Sequence, residues 1–396
     1  MRENIRVYAI VGKEAFDGVE CMKILHNILL VIFLLAISLS LVGTVMADPS
    51  AGSVLWTKHP VSKGAVYTED NAASNNVLRF AMLENGKLGP ATSFSTGGSG
   101  TGTAFHSQGA IVLTDDGRWL LAVDAGSNEI TVFKVTPEGL TMADKVSSHG
   151  MMPISITVQG PWVYVLDSAS LNIAGFILSP SGQLNFIKGS NLSLNKLASA
   201  PEQIGFGNWF DSSVLIVTEK GSNQIDTFTV NRVGIPTGPF TTTSNGNGPY
   251  GFAFEERGIL IDSDAGSHAA SSYGVSHNGV ISVISGPVAT GVANDTPCWV
   301  AITDNGKFAY TGNGDTAISS FSVSDNGVLK LVNEKAATLA SGGSLDLGFS
   351  EGSRYLYVLN AAGSISGFGV DKSNGILTLV TTASGVPLSS AGIAVS

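Results

Sequence analysis

A four-strand unit recurs along most of this chain and constrains its fold more than any other feature. In each copy an aromatic or aliphatic strand ends on an acidic or amide residue, at Asp70, Asp124, Asp167, Glu219, Asp264, Asn313 and Asn360. After a short Gly/Ser/Asn turn, a second strand places a ring at Phe133, Phe176, Phe228, Tyr273, Phe321 and Phe368. A third and a fourth strand follow, and a period of about 48 residues with four short strands is typical of a β-propeller blade.

Seven copies lie between Gly64 and Ser396. The sequence therefore predicts an all-β fold, a seven-bladed β-propeller with four antiparallel strands in each blade. The chain ends on GIAVS at Gly392–Ser396, a strand of the fourth type with no strand after it. We expect it to pair with the first strand, Gly64–Thr68. This pairing would close the ring and remove the open sheet edges that invite aggregation.

Low charge agrees with this fold and limits the partners. Charged residues make up 13% of the chain, which contains 48 glycines, and the formal net charge is −10. Few charges and many glycines are typical of a tightly looped β-protein. An acidic surface repels phosphate backbones, so we expect no nucleic acid partner.

The first 63 residues are predicted to lie outside the propeller. Residues 22–47 have the pattern of a secretory signal peptide, with a basic start at Lys23, an apolar stretch and a small-residue ending before Asp48. Residues 1–21 then form an upstream extension, which leaves Met1 or Met22 as the true start, and residues 48–63 a linker. The alternative is an uncleaved membrane anchor, the one case in which we expect membrane contact. We expect a secreted, periplasmic or cell-surface protein.

Removal of the signal segment would leave Cys298 as the single cysteine, because Cys21 lies upstream. No intramolecular disulfide is then expected. A lone cysteine in an apolar run is typically a small buried hydrophobic residue.

The repeat resembles a known family. The cadence in TPCWVAITDNGKFAYTGN and in SAPEQIGFGNWFDSSVLIVTEKGSNQIDTF is similar to that of the lactonase-type seven-bladed propellers. This family has WD40- and YVTN-like repeats and includes 6-phosphogluconolactonase and 3-carboxy-cis,cis-muconate cyclase. The resemblance covers residues 64–396 and implies the fold.

The resemblance also implies where a site would lie. Active members carry a His in one blade, an Arg-His pair in the next, a Glu that ends the following strand, and a further Arg. Glu219 matches that Glu. The other positions hold Ile154 or Ser155, then Glu202 and Gln203, and then Gly314. Since the arginines bind the anionic substrate and the His transfers a proton, their absence argues against the family's chemistry.

The strand order predicts which face carries the site. The fourth strand of each copy is innermost, so its start and the end of the next strand meet near the central channel. Predicted ligand-binding residues from strand starts are Gln108, Ser155, Tyr250 and Trp299. Those from strand ends are Asp124, Asp167, Asp264 and Asn313. The predicted catalytic residues are Glu219, with Glu202 and Gln203 as helpers.

Two functions remain open from the sequence. One is a non-catalytic propeller that binds a small molecule, glycan or protein on this acidic face. The other is a divergent lactonase, 6-phosphogluconolactonase-like or muconate cyclase-like, that uses Glu219. Glu202 and Glu219 would supply a general acid or base as a pair, or would cap loops as solvated acids. The strand-end acids would bind a hard cation, or would hydrogen-bond their own turns. The histidines have no metal-binding spacing, and we expect no metal and no cofactor.

Overall fold

The computed structural model describes residues 64–207, 213–255, 257–292, 295–339 and 342–396. The predicted upstream extension, signal peptide and linker lie outside these residues. Within the described ranges the chain forms strands and two short 3₁₀ turns, at Ala265–Ser267 and Glu351–Ser353. No helix among them is long and apolar enough to cross a membrane.

Seven antiparallel sheets of four strands form the blades, so the predicted seven-bladed β-propeller is confirmed. The innermost strands are β4 (Ile111–Leu113), β8 (Pro153–Gln159), β13 (Pro201–Gly207), β17 (Pro249–Glu255), β21 (Pro297–Ile302), β25 (Ser344–Phe349) and β29 (Ala391–Val395). The second strands are β5 (Trp119–Asp124), β9 (Trp162–Asp167), β14 (Ser213–Glu219), β18 (Ile259–Asp264), β22 (Phe308–Asn313), β26 (Tyr355–Asn360) and β1 (Ala65–Glu69).

The third and outer strands complete each blade. The third strands are β6 (Glu129–Thr136), β10 (Asn172–Leu178), β15 (Gln224–Val230), β19 (Ala269–Val275), β23 (Ala317–Val323), β27 (Ser364–Asp371) and β2 (Asn76–Met82). The outer strands are β7 (Gly139–Ser147), β11 (Leu184–Phe186), β16 (Pro236–Thr243), β20 (Ile281–Ala289), β24 (Leu329–Thr338), β28 (Ile376–Ser384) and β3 (Leu88–Ser95). A two-residue strand, β12 (Leu192–Ser193), pairs with β10 as a fifth member of its sheet.

The two ends of the propeller meet in one blade, as predicted. Strand β29 pairs antiparallel with β1, and this sheet has the order β29, β1, β2, β3. The backbone N–H of Ser396 donates to the carbonyl oxygen of Ala65 over 3.0 Å. The C-terminal strand therefore supplies the innermost strand of the blade that the N-terminal strands begin.

The repeated rings form the core between blades. Phe228 of β15 lies opposite Leu215 of β14, and both are fully buried. Tyr273 and Phe321 occupy the same place in the next two blades and are also fully buried. A ring on the third strand packs beside aliphatic residues of the second strand, so each blade buries both of its faces.

Candidate functional site

Bulges at the start of five inner strands define the candidate site. In each of β8, β13, β17, β21 and β25 the pairing with the second strand shifts register just after the first residue. The side chains at these shifts are Ile154, Glu202, Tyr250, Cys298 and Leu345. A bulge re-aims a side chain, and all five line one cavity.

That cavity, called the cup below, has a volume of about 930 Å³ and lies at the mouth of the central channel. It is on the predicted face, where inner strands start and second strands end. Besides the five bulge residues its wall includes His106, Lys220, His268 and Trp299. Among the described residues of the wall, Glu202 is the one carboxyl group and Lys220 the one lysine or arginine.

Glu202 is a buried acid beside a cation and a phenol. Its side chain is 8% exposed, and burial raises the pKa of its carboxyl group to about 8, although Lys220 and a hydrogen bond with Tyr250 oppose the shift. This pKa lets the carboxyl group exchange a proton near neutral pH, which is the range that general acid–base chemistry needs.

Aromatic rings surround this acid. The Tyr250 hydroxyl donates to the His106 carbonyl oxygen over 2.8 Å, and the Lys220 ammonium lies 4.8 Å from the centroid of the Tyr250 ring. Trp299 packs edge-on against Tyr250 with centroids 5.9 Å apart. Burial and the charge of Lys220 lower the pKa of the His106 imidazole, so this side chain is neutral at neutral pH.

Two glutamines lie deeper in the channel, below the cup. The Gln108 amide group spans the channel, where it donates to the Val300 carbonyl oxygen over 2.8 Å and accepts from the Val300 N–H over 3.1 Å. Gln203 makes the same pair of bonds with Phe252, at 3.1 and 2.6 Å. The Ser155 hydroxyl donates to the Gln108 carbonyl oxygen over 2.6 Å. These three predicted site residues satisfy backbone groups at the free edges of the inner strands, and none of the three lines the cup.

Cys298 is on the wall but is not activated. Its thiol donates to the Thr296 carbonyl oxygen over 3.3 Å, and burial raises its pKa to about 12. A thiol that stays protonated is a poor nucleophile. The residue has the buried position that the sequence predicted.

The strand-end residues Asp124, Asp167, Asp264 and Asn313 are buried within the blades and do not line the cup. Asp124 accepts from the Thr131 hydroxyl over 2.7 Å, and Asp264 accepts from the Ser271 hydroxyl over 2.6 Å. A Cβ atom on Gly246 would lie 2.1 Å from the Asp264 carboxyl carbon, so only glycine fits there. These partners are on the neighbouring third strand, Thr131 on β6 and Ser271 on β19, rather than in the turn that follows each residue.

The same is true of the other two strand-end residues. Asp167 accepts from the Asn172 amide over 3.3 Å, and the Asn313 amide donates to the Ser319 hydroxyl over 2.9 Å. Among the described residues, no group of three or more His, Cys, Asp or Glu side chains is arranged to hold a metal ion.

Glu219, the predicted catalytic residue, is held inside its blade. Its carboxylate accepts from the Asn195 amide over 2.8 Å and from the Ser222 hydroxyl over 2.6 Å. Burial, and to a smaller extent the neighbouring Asp226, raises the pKa of Glu219 to about 8. Glu202 instead interacts with Lys220 and Tyr250. The structure therefore gives the two glutamates separate partners, and Glu202 alone lines the cup.

Glu202, Tyr250 and Trp299 lie on the face where the sequence predicted them, whereas Lys220 and His106 were not predicted there. Lys220 directly follows the strand end at Glu219, so the repeat of polar strand ends does not include it. His106 stands 48 residues before Ile154, which is the same interval that separates Ile154, Glu202, Tyr250 and Cys298. This 48-residue interval can be read from the sequence, and it identifies these residues of the wall.

Comparison with known families agrees with the fold. Residues 66–194, about a third of the chain, match the family described as "Lactonase, 7-bladed beta-propeller". This match confirms the resemblance to the lactonase-type propellers. The comparison with curated proteins gives no match.

Several solved structures share the fold. A protein of Bacteroides fragilis, provisionally named a 6-phosphogluconolactonase, has a TM-score of 0.64 at 17% identity, covering 84% of this chain and 98% of its own. A protein of Bacteroides uniformis with the same provisional name has a TM-score of 0.65 at 16% identity, covering 84% and 99%. The periplasmic gluconolactonase PpgL of Pseudomonas aeruginosa has a TM-score of 0.62 at 15% identity, covering 84% and 98%. Identities this low show the common fold alone.

Proposed function

We propose that this lactonase-like propeller binds a small organic carboxylate in the cup and does not convert it. The observation that carries this proposal is that Lys220 is the one lysine or arginine among the described residues of the wall. Lys220 is exposed on this wall. Ile154 and Leu345, which belong to blades other than that of Lys220, make part of the wall apolar. The arrangement suits a ligand with a carboxylate at one end and an apolar body at the other.

We also propose that the protein works outside the cytoplasm. The signal-peptide pattern at residues 22–47 supports this, and a structural neighbour is named a periplasmic gluconolactonase. Export is compatible with the single cysteine of residues 22–396, since the fold is held by burial rather than by disulfides.

The first prediction is that benzoate binds to the cup through Lys220. In calorimetric titrations we expect Lys220→Gln to weaken benzoate binding about tenfold, as expected for the loss of about 1.4 kcal/mol from one half-screened charge pair. Neutral benzamide should bind equally to both proteins. Lys307→Gln is the matched control, because Lys307 is an exposed lysine of a hairpin outside the cup. Equal benzoate affinity of Lys220→Gln and the wild type, or no binding of either probe, would refute the proposal.

Glu202 favours a second function, the hydrolysis of a lactone. A carboxyl group with a pKa of about 8 can activate water or protonate a leaving oxygen, and Lys220 would stabilise the oxyanion. The names of the family and of the neighbouring structures support the same chemistry. In this function Glu202, rather than Glu219, is the catalytic residue.

The second prediction distinguishes this function from simple binding. If glucono-δ-lactone, γ-butyrolactone or dihydrocoumarin is hydrolysed, Glu202→Gln should reduce the rate at least a hundredfold, as loss of a general acid–base does. Glu219→Gln should keep most of the rate, because that side chain is held by Asn195 away from the cup. The reverse pattern would assign catalysis to Glu219. If neither the wild type nor any folded variant hydrolyses these lactones, binding remains as the one proposed function.

A further inference from the structure

Glu202 and Lys220 share the wall of the cup, and this pairing bears on how a ligand would be held and released. The inference below rests on the proposed binding function and concerns its regulation. Glu202 reaches the cup because the register of β13 against β14 shifts between Pro201 and Gln203. The shift leaves Glu202 without a cross-strand partner and places it on the wall.

The groups that face Glu202 come from each neighbouring element. Lys220 comes from the turn after β14, Tyr250 from β17 and Cys298 from β21. On the next blade back, β8 contributes the apolar Ile154. On the loop before β4, burial and the charge of Lys220 lower the pKa of the His106 imidazole, which is therefore neutral. The tyrosine and the thiol also stay protonated, because burial raises the pKa of both groups. His268, which is also on the wall, bonds through its Nδ1 to the Asp295 carbonyl oxygen. Of the groups beside Lys220, the Glu202 carboxyl group is therefore the one whose proton sets the local charge.

We propose that the cup binds a carboxylate together with a proton on Glu202, and that this proton is taken up on binding wherever Glu202 is ionised in the free protein. With Glu202 protonated, the Lys220 charge is available to the ligand. With Glu202 ionised, its own carboxylate neutralises Lys220 and repels the carboxylate of the ligand. The proton comes from solvent and returns to solvent on release, so no bond other than O–H is made or broken.

The proposal predicts how the affinity for a carboxylate ligand changes with pH. The ordinary pKa of a glutamic acid lies near 4, but burial places that of Glu202 at about 8. Below this value the cup is already protonated and binding needs no further proton. Above it, each bound carboxylate must bring in a proton, so affinity falls about tenfold for each pH unit. A ligand bound at neutral or acidic pH is released at alkaline pH.

The test is the number of protons taken up with benzoate. Calorimetric titrations at pH 9.0, in two buffers that differ in ionisation enthalpy, should give close to one proton per benzoate for the wild type. At pH 6.5 they should give close to none. Glu202→Gln should take up none at either pH and should bind benzoate with an affinity that does not change between them. Circular dichroism at both pH values checks that both proteins are folded.

Two outcomes separate this inference from the function beneath it. If benzoate binds through Lys220 at pH 9.0 without proton uptake, or if Glu202→Gln keeps the uptake, the inference is wrong and the binding function stands. If benzoate binds to neither protein at pH 6.5, where residue 202 is uncharged in both, the binding function itself is wrong and the inference is lost with it.

Discussion

The protein is expected to be more stable at pH 5 than at pH 8, by at least about 8 °C in melting temperature. Buried carboxyl groups occur in blade after blade, at Glu69, Asp124, Asp167, Glu202, Glu219, Asp262, Asp264, Asp295 and Asp346. Burial is the largest cause that raises the pKa of each one. For Asp167 and Asp346 the pKa is about 7. The folded state thus holds protons that the unfolded chain releases near pH 4.

The sign of the effect follows from this difference. A carboxyl group with a raised pKa in the folded state contributes stability below pH 4, and this contribution is lost as the pH rises through about 7. Each such group changes the free energy of unfolding by about 1.4 kcal/mol per pH unit across that window. Between pH 5 and pH 7 one such group amounts to about 2.7 kcal/mol, so Asp167 and Asp346 together amount to about 5 kcal/mol, which corresponds to at least about 8 °C for a protein of this size. Asp116 and Asp371 shift the other way, but both are exposed and contribute little.

Asp262→Asn tests the cause. Asp262 is fully buried, and burial together with the charge of the neighbouring Asp264 raises the pKa of its carboxyl group. An asparagine has the same shape without the titrating proton, so this variant should melt higher than the wild type at pH 8 and show a shallower dependence on pH. Asp116→Asn, in an exposed hairpin, should leave the slope unchanged. The measurement is the melting temperature of each protein between pH 5 and pH 8.5. A wild-type melting temperature that stays constant or rises with pH would contradict the prediction.

The architecture was predictable from the sequence because a propeller repeats a local pattern. The terminus of each second strand and the ring on each third strand stand at nearly constant spacing, and that spacing needs no knowledge of tertiary contacts. Phe228 and Phe321 are buried where the repeat placed them. Ring closure was also predictable, since a fourth-type strand at the chain end had no other partner than β1.

The wall of the cup was only half predictable, and the bulges explain why. Strict alternation along a strand places Ser155 and Gln203 in the site, one residue after Ile154 and Glu202. A bulge adds one residue to the inner strand and so locally reverses which side chains face the cup. The residues that face it are therefore one position earlier than strict alternation predicts. The position of Gln108 could not be predicted from the sequence for another reason. Gln108 meets Val300 across the channel, between blades that are not neighbours, and no local pattern encodes such a contact.

Closure itself leads to the last prediction, which is that removal of residues 388–396 abolishes cooperative folding of the propeller. Strand β29 supplies the inner edge of one blade, and its Ala391 and Ile393 side chains are buried. The Ile393 N–H also donates to the Asp346 carboxylate of the preceding blade over 3.0 Å. The truncated chain would expose β1, leave Asp346 short of a donor and open the ring. Burial of one isoleucine contributes about 1.5–3 kcal/mol, and a whole strand approaches the 5–15 kcal/mol that stabilises a typical domain.

A rearranged chain supplies the control. Residues 388–396, followed by an Asn-Gly linker and then residues 64–387, would connect β29 to β1 by a tight hairpin with the same strands in the same places. The new ends fall beside Pro387 and Leu388, which are exposed. Compared with residues 64–396, this chain should melt cooperatively, whereas residues 64–387 should give a broad transition or aggregate. If the truncated chain melts as sharply as the reference, the ring does not depend on its closing strand. If the rearranged chain also fails, the loss arises from something other than an open blade.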